Sequence, residues 1–172
     1  MRWAVLDSPI GPLSVAIDEA GVCGVRFGPV DGATPVPVDG ATPVPDAALD
    51  DDRFVLVVAE LRAYFAGELT EFTVPLSVRG GSEFERAVWD QMTRIPYGEM
   101  RTYGEIATAV GDPGGARAVG TACNRNPIPV IVPCHRIVGA GGKLVGFGGG
   151  LPRKRQLLEL EAGVAFQRSW GG

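Results

Sequence analysis

The feature that most constrains this chain is a change of periodicity at Gly80-Gly81. Before it, short apolar and β-branched runs alternate with turn signals. After it, capping boxes open amphipathic helical patterns. A period of two and a period of 3.6 bury different faces, so the two stretches call for different layers of structure. The sequence therefore predicts two domains, residues 1–80 and 81–172, with the glycine pair as the hinge.

In the first stretch, Leu13-Ser14-Val15-Ala16-Ile17 and Val22-Cys23-Gly24-Val25-Arg26-Phe27 are strand-like, and Ser8-Pro9, Gly11-Pro12 and Glu19-Ala20-Gly21 mark turns. A small antiparallel sheet follows. Val30-Asp31-Gly32-Ala33-Thr34-Pro35-Val36-Pro37 is then duplicated as Val38 to Pro45. Rich in proline and glycine, the duplication has no packable face and reads as a solvated loop rather than a solenoid. A helical pattern runs from Phe54 to Phe65, closed by Gly67.

In the second stretch, Ser82 and Glu85 form a capping box ahead of Phe84, Val88, Met92 and Ile95 at helical spacing. Tyr97-Gly98 turns the chain. Thr102 and Glu105 open a second helix with Ile106, Ala107 and Val110; Gly111-Asp112-Pro113-Gly114 connects it to a third, Ala116 to Cys123. Two short helices on a tight Gly/Pro connector outline a helix-turn-helix, which also occurs in proteins that never touch DNA. Val130-Ile131-Val132 suits a short buried strand stopped by Pro133. Gly139 to Gly150 holds seven glycines in twelve residues and reads as an irregular loop. Pro152 opens a last helix, and Gly163 is expected to end it.

Charge separates along the same line. Residues 1–80 hold 5 Lys/Arg against 12 Asp/Glu, net −7, whereas residues 81–172 hold 11 against 8, net +3. The overall −4 therefore hides a basic half able to meet phosphates. No run is apolar and long enough to span a bilayer, and no signal peptide opens the chain, so a cytoplasmic protein is expected. The thiols Cys23, Cys123 and Cys134, with a single histidine, signal neither a disulfide framework nor a zinc site. No metal and no cofactor are expected.

Cys134 stands against Pro133 and beside the lone His135. A free thiol is only a few per cent thiolate at neutral pH. Lowering its pKa by about two units, roughly 2.7 kcal/mol, would make it a ready nucleophile. The plain alternative is a buried inert cysteine, the reading given to Cys23 and Cys123. Adjacent residues on a strand point to opposite faces, so a local turn must bring His135 to Cys134. In the last helix Leu157, Leu160, Glu161 and Val164 share one face, which puts Glu161 on the apolar stripe and Glu159 away from it. A buried carboxylate needs a partner, and both His135 and Arg136 are candidates. With His135 it makes a Glu–His–Cys relay, an arrangement that would equally serve a cysteine hydrolase.

Residues Ile131-Val132-Pro133-Cys134-His135-Arg136-Ile137-Val138 resemble the active-site motif of the O6-alkylguanine-DNA alkyltransferases. Ile95-Pro96-Tyr97-Gly98-Glu99, Thr102 to Ala107, Ala116 to Gly120, Asn124-Arg125-Asn126-Pro127 and Leu157 to Gly163 are similar to that family in order and spacing. Asp7 to Leu13 and Tyr64-Phe65-Ala66-Gly67 look like its bacterial members. The resemblance implies an α+β fold: a small N-terminal sheet-plus-helix (ribonuclease H-like) domain, then a mostly helical C-terminal domain with a helix-turn-helix. It implies direct, stoichiometric transfer of the alkyl group from O6-alkylguanine in DNA, and more weakly from O4-alkylthymine, to Cys134.

The same resemblance makes His135 and Glu161 the relay and Asn126 the hinge between recognition helix and active-site strand. Arg117 becomes a finger that enters the duplex and replaces the flipped base, with Thr102, Tyr103, Ala116 and Arg125 as further DNA contacts. Tyr103, Pro129, Ile137, Val145, Phe147, Gly148 and Gly149 become the base pocket. Where Phe147 stands, many members have tyrosine. Some have a hydroxyl residue at Gly148, which here leaves the O6 contact to backbone N–H groups. The implied partner is double-stranded DNA, met by a monomer, with cooperative assembly on DNA left open and no membrane. A module that binds alkylated DNA and flags it without transfer is the alternative.

Overall fold

The computed structural model describes residues 1–35 and 51–171, and the chain divides into two compact units between Arg79 and Gly80. In the first unit, β1 (Arg2–Leu6), β2 (Leu13–Ile17) and β3 (Val22–Phe27) form an antiparallel meander. A short β4 (Thr34–Pro35) joins β1 in parallel, giving the sheet order β3-β2-β1-β4. The first copy of the duplicated unit thus contributes an edge strand rather than loop alone. An edge is where a proline is tolerated, because its missing N–H interrupts no ladder. The remainder of that duplication, beyond Pro35, lies outside the described residues.

Helix α1 (Asp52–Phe65) is capped by Asp51, whose carboxylate accepts from the Arg53 N–H. It buries Phe54, Val57, Leu61 and Tyr64. Its buried face also carries Glu60, whose carboxylate accepts from the Thr73 and Val74 N–H groups at 2.8–3.0 Å and so is satisfied by backbone.

In the second unit α2 (Glu83–Thr93) starts with the reciprocal Ser82–Glu85 capping box. It buries Val88, Trp89 and Met92, and the Trp89 indole donates to the Ala122 carbonyl at 2.8 Å. Helices α3 (Tyr103–Ala109) and α4 (Ala116–Asn124) pack on each other across residues 110–115 as the expected helix-turn-helix. At α3, Thr102 caps the Glu105 N–H. Strand β5 (Arg101–Thr102) pairs in parallel with β6 (Ile137–Val138), which ties the start of α3 to the segment after Cys134.

Helix α5 (Leu151–Gly171) does not end at Gly163. Lys154, Leu157, Glu161 and Val164 form its buried stripe, so the face that holds the helix continues past the glycine. Gly163 sits on the exposed side in ordinary helical conformation, where glycine weakens a helix by about 1 kcal/mol but does not stop it. Gly98, with φ +79°, makes the turn after Tyr97, and a Cβ there would come within 2.8 Å of the Ala165 Cβ on α5. The turn therefore requires glycine both for its backbone and for its close approach.

Candidate active site

The segment between α4 and Cys134 is not the expected strand. Asn126, just past α4, accepts from the Ile128 N–H at 3.0 Å and donates to the Val132 carbonyl at 2.9 Å. With Val132 N–H bonded back to the Ile128 carbonyl at 2.9 Å, residues 126–132 close into a turn. Val130 sits at φ +75°, the one non-glycine residue among those described with a positive φ. A β-branched residue adopts this conformation only when its surroundings dictate it. Here they do: Ile128, Val130, Ile131 and Val132 are all buried, and the Asn126 side chain occupies the backbone groups a strand would have used.

The turn delivers Cys134 as the first residue of a 3-10 turn, Cys134–Arg136. At three residues per turn neighbouring side chains are about 120° apart rather than opposed, so Cys134 and His135 need not face opposite ways. All three residues of the turn are buried.

Behind it, Glu161 serves both partners that the sequence left open. Its Oε2 lies 2.7 Å from His135 Nε2, and its Oε1 accepts from Arg136 Nε at 2.7 Å. A second arm of Arg136 reaches Oε2 at 3.1 Å, and the Gly98 N–H points to Oε1 at 3.4 Å. Arg136 also donates to the Ile95 carbonyl at 2.8 Å and covers the Tyr97 ring at 5.6 Å. A carboxylate has about four lone-pair sites, so such sharing saturates it without conflict. Burial disfavours its charge, but His135 and Arg136 outweigh that and hold Glu161 down at about 2. An ionised Glu161 accepts from Nε2–H, which assigns the tautomer and leaves the Nδ1 lone pair as the base. Nδ1 is buried and has no hydrogen-bond partner among the described residues. Burial pushes the His135 pKa below its ordinary value despite Glu161, so the imidazole is neutral and able to take a proton.

Cys134 differs from the sequence expectation in one respect. Burial raises its pKa to about 11, and the Asn126 hydrogen bond and the Lys154 charge only partly oppose this. The resting group is a neutral thiol, because desolvation disfavours an anion more than the nearby dipoles stabilise it. Its ionisation must be coupled to a base.

Tyr103, half-buried at the start of α3, donates to the Val145 carbonyl at 2.6 Å and so touches the glycine-rich loop. Within that loop the Gly149 carbonyl accepts from Arg153 at 2.9 Å, Phe147 is half-buried, and Val145 and Gly148 are exposed. Pro129 and Ile137 are buried. Arg117 and Ala116 are exposed in the first turn of α4, whose N-cap, Gly115, makes no side-chain cap. Thr102 is committed to its cap, and Arg125 lies 3.5 Å from Glu85. The structure thus gathers Cys134, His135, Glu161 and Asn126 around one turn and joins Tyr103 to the loop at Val145. Arg117 and Ala116 stand apart on an exposed helix end. Sequence reasoning missed Arg136 as a full member of the relay and Lys154 altogether. Extending the Leu157–Glu161 stripe one turn upstream would have found Lys154. Among the described residues no group of three or more His, Cys, Asp or Glu could hold a metal ion, and no helix is long and apolar enough to cross a membrane.

Comparison with known proteins bears on both units. Residues 1–78 match the "6-O-methylguanine DNA methyltransferase, ribonuclease-like domain" and residues 83–163 the "6-O-methylguanine DNA methyltransferase, DNA binding domain". The chain is 49% identical over 161 residues to a methylated-DNA–protein-cysteine methyltransferase of Mycobacterium tuberculosis, covering 94% of this chain and 92% of that protein. It is 48% identical over 162 residues to one of Methanosarcina acetivorans, covering 94% and 98%. Among solved structures it is similar to Mycobacterium tuberculosis OGT in complex with DNA, with a TM-score of 0.80 at 47% identity, covering 95% of this chain and 94% of that one.

Proposed function

From a chain that belongs to the methylated-DNA–protein-cysteine methyltransferases, and so repairs DNA by moving an alkyl group onto one of its own cysteines, we infer that the acceptor is Cys134 and the lesion O6-alkylguanine, with O4-alkylthymine a weaker substrate. One observation carries this: the buried Glu161–His135 pair, which binds one imidazole nitrogen and leaves the other as a base on the residue next to Cys134.

The alkyl carbon on O6 lies inside the base stack, so the nucleotide must be extruded, at a cost of a few kcal/mol. Arg117, exposed at the start of α4, fills the gap; helix-turn-helix contacts from Thr102, Ala116 and Arg125 hold the phosphates and offset the cost. The base enters between Tyr103, Pro129 and Ile137 on one side and the loop through Val145, Phe147, Gly148 and Gly149 on the other. Here Tyr103 exchanges its bond to the Val145 carbonyl for one to the base. As His135 Nδ1 takes the thiol proton, Cys134 Sγ attacks the alkyl carbon and the carbon–O6 bond breaks. Its electron pair stays on the guanine, which then takes up the proton. Thiol and alkylguanine become thioether and guanine, with nothing left over. A thioether is a poor leaving group and nothing in the relay reverses it, so each molecule acts once, as a monomer on duplex DNA.

Incubation with an O6-methylguanine duplex followed by intact mass tests the assignment. The expected result is a single gain of about 14 Da on the Cys134 peptide, one methyl transferred per nucleophile. Cys134→Ala is expected to bind the duplex and gain nothing. Binding by the native protein without a mass change would instead indicate a lesion-flagging module, and methyl on another cysteine would overturn the assignment.

A further inference from the structure

The glycine-rich loop between β6 and α5 spends its carbonyls and keeps its N–H groups. The Val145 carbonyl accepts from the Tyr103 hydroxyl at 2.6 Å and from Lys154 Nζ at 3.4 Å. Lys154 Nζ also reaches the Gly146 carbonyl at 3.1 Å. The Phe147 carbonyl accepts from the Gly150 N–H at 2.9 Å, and the Gly149 carbonyl from the Arg153 guanidinium at 2.9 Å. Among the described residues, by contrast, the N–H groups of Gly146 and Gly148 donate to nothing. A trans peptide points its carbonyl and the following N–H to opposite sides. With the Val145 and Phe147 carbonyls engaged, the N–H groups of Gly146 and Gly148 face away from those partners.

Both cations that hold the loop come from the start of α5, where Arg153, Lys154 and Arg155 follow one another and the first turn carries no acid. Cations oppose the positive end of a helix dipole, so this run is unfavourable for the helix alone. The loop carbonyls supply the negative ends that offset it. Lys154 is 1% exposed, and among the described residues it forms no ion pair with a carboxylate. The loop carbonyls and the Tyr103 ring, whose centre is 5.7 Å from Nζ, are what it meets. The loop in turn lies against the segment that leaves the Cys134–Arg136 turn: a Cβ on Gly139, just after β6, would come within 3.1 Å of the Val145 side chain.

We propose that Arg153 and Lys154 are positioning residues for alkyl transfer: they clasp the loop carbonyls to α5, so that the N–H groups of Gly146 and Gly148 stay turned to the base when Tyr103 leaves Val145. The proposal rests on the reading that this loop lines the base pocket and that Cys134 is the acceptor. A carbonyl oxygen has two lone pairs, so Val145 serves Tyr103 and Lys154 together. Tyr103 can exchange its partner for the base while Lys154 keeps the loop in place. As the carbon–O6 bond breaks, its electron pair stays on the guanine and O6 gains negative charge until the base takes up the proton. Donors already fixed towards O6 stabilise that charge without having to reorganise.

The test compares the full native chain with Arg153→Met, Lys154→Met and the conservative Arg153→Lys and Lys154→Arg. Three quantities are read: backbone hydrogen exchange of residues 144–150 by mass, single-turnover transfer from free O6-benzylguanine across concentrations, and iodoacetamide alkylation of Cys134. In both Met variants the loop is expected to exchange about tenfold faster or more, as a segment that has lost its tether. The limiting transfer rate is expected to fall about tenfold while the half-saturating concentration moves less than about threefold, because the donors act on charge that develops only as the bond breaks. Iodoacetamide alkylation should stay within about twofold of native, since the thiol itself is untouched. The Lys and Arg variants are expected to recover most of the transfer rate. Unchanged loop exchange in the Met variants would overturn the clasp, and iodoacetamide rates that fall as far as transfer would place the effect on the thiol and overturn it too. Faster exchange with native transfer would instead strike the underlying reading that the loop lines the base pocket. If Lys154→Met does not fold, Lys154→Gln and the half-buried Arg153→Met are read the same way.

Discussion

The base role proposed for His135 depends on which of its nitrogens is left over, and that is decided by Glu161. The sequence showed the carboxylate on an apolar stripe and two basic residues near one thiol. It did not show that both basic residues use it, because a linear pattern carries no hydrogen-bond geometry. Arg136 looked like a competitor and is a co-ligand. Substituting Glu161 by Gln should therefore act twice. The tautomer preference of His135 weakens, so transfer is expected to slow at least tenfold. Arg136 loses its buried counter-charge, so thermal stability at neutral pH is expected to fall by about 3 kcal/mol. The native protein carries a pH signature of the same interaction. Glu161 in the fold sits at about 2, below its ordinary 4.5. The unfolded chain therefore takes up the proton first, and the stabilisation is complete above about 4.5 and is lost as pH falls from there towards 2. Melting curves across that window should be flatter for Glu161→Gln; an undiminished acid loss would show that another carboxylate is responsible.

Elements were legible where caps and stripes agreed, and illegible where one side chain redirected the backbone. The Ser82–Glu85 box, the Thr102 cap and the two helices of the hairpin stand where their sequence signals put them. Val130-Ile131-Val132 has the composition of a strand, yet Asn126 bonds the Ile128 N–H ahead of it and the Val132 carbonyl at its end and folds it into a turn. Local propensity cannot see a competitor four residues away. The end of α5 was misplaced for the opposite reason, since Gly163 looked like a stop signal and tertiary packing carried the helix through it. That difference is measurable. A Cβ at Gly163 would meet nothing within 4 Å, and the residue lacks the positive φ of a helix terminator. Gly163→Ala is expected to stabilise the protein by about 1 kcal/mol, seen as a higher melting temperature with transfer unchanged. Destabilisation would mean that the helix breaks there.

Over the whole molecule, the division near residue 80 and the segregation of charge were both readable from residue order. The contact between α3 and the glycine-rich loop, where the Tyr103 hydroxyl meets the Val145 carbonyl, was not, because it joins residues far apart in the chain. The basic character of residues 81–172 matters more for DNA than the net −4 of the chain. Arg117, exposed at the head of α4, is the clearest case. Arg117→Ala is expected to slow repair of duplex DNA by an order of magnitude or more while leaving reaction with free O6-benzylguanine within about twofold, because only the duplex needs its stack refilled. Equal losses on both substrates would exclude the finger role. The buried, protonated state of Cys134 has a further consequence. A group that can be used only once must survive until its lesion arrives, and small electrophiles and peroxides attack exposed thiolates first. With a pKa raised to about 11 and 6% exposure, Cys134 is shielded from such losses. The desolvation that calls for a base beside the thiol is thus also what protects the thiol while it waits.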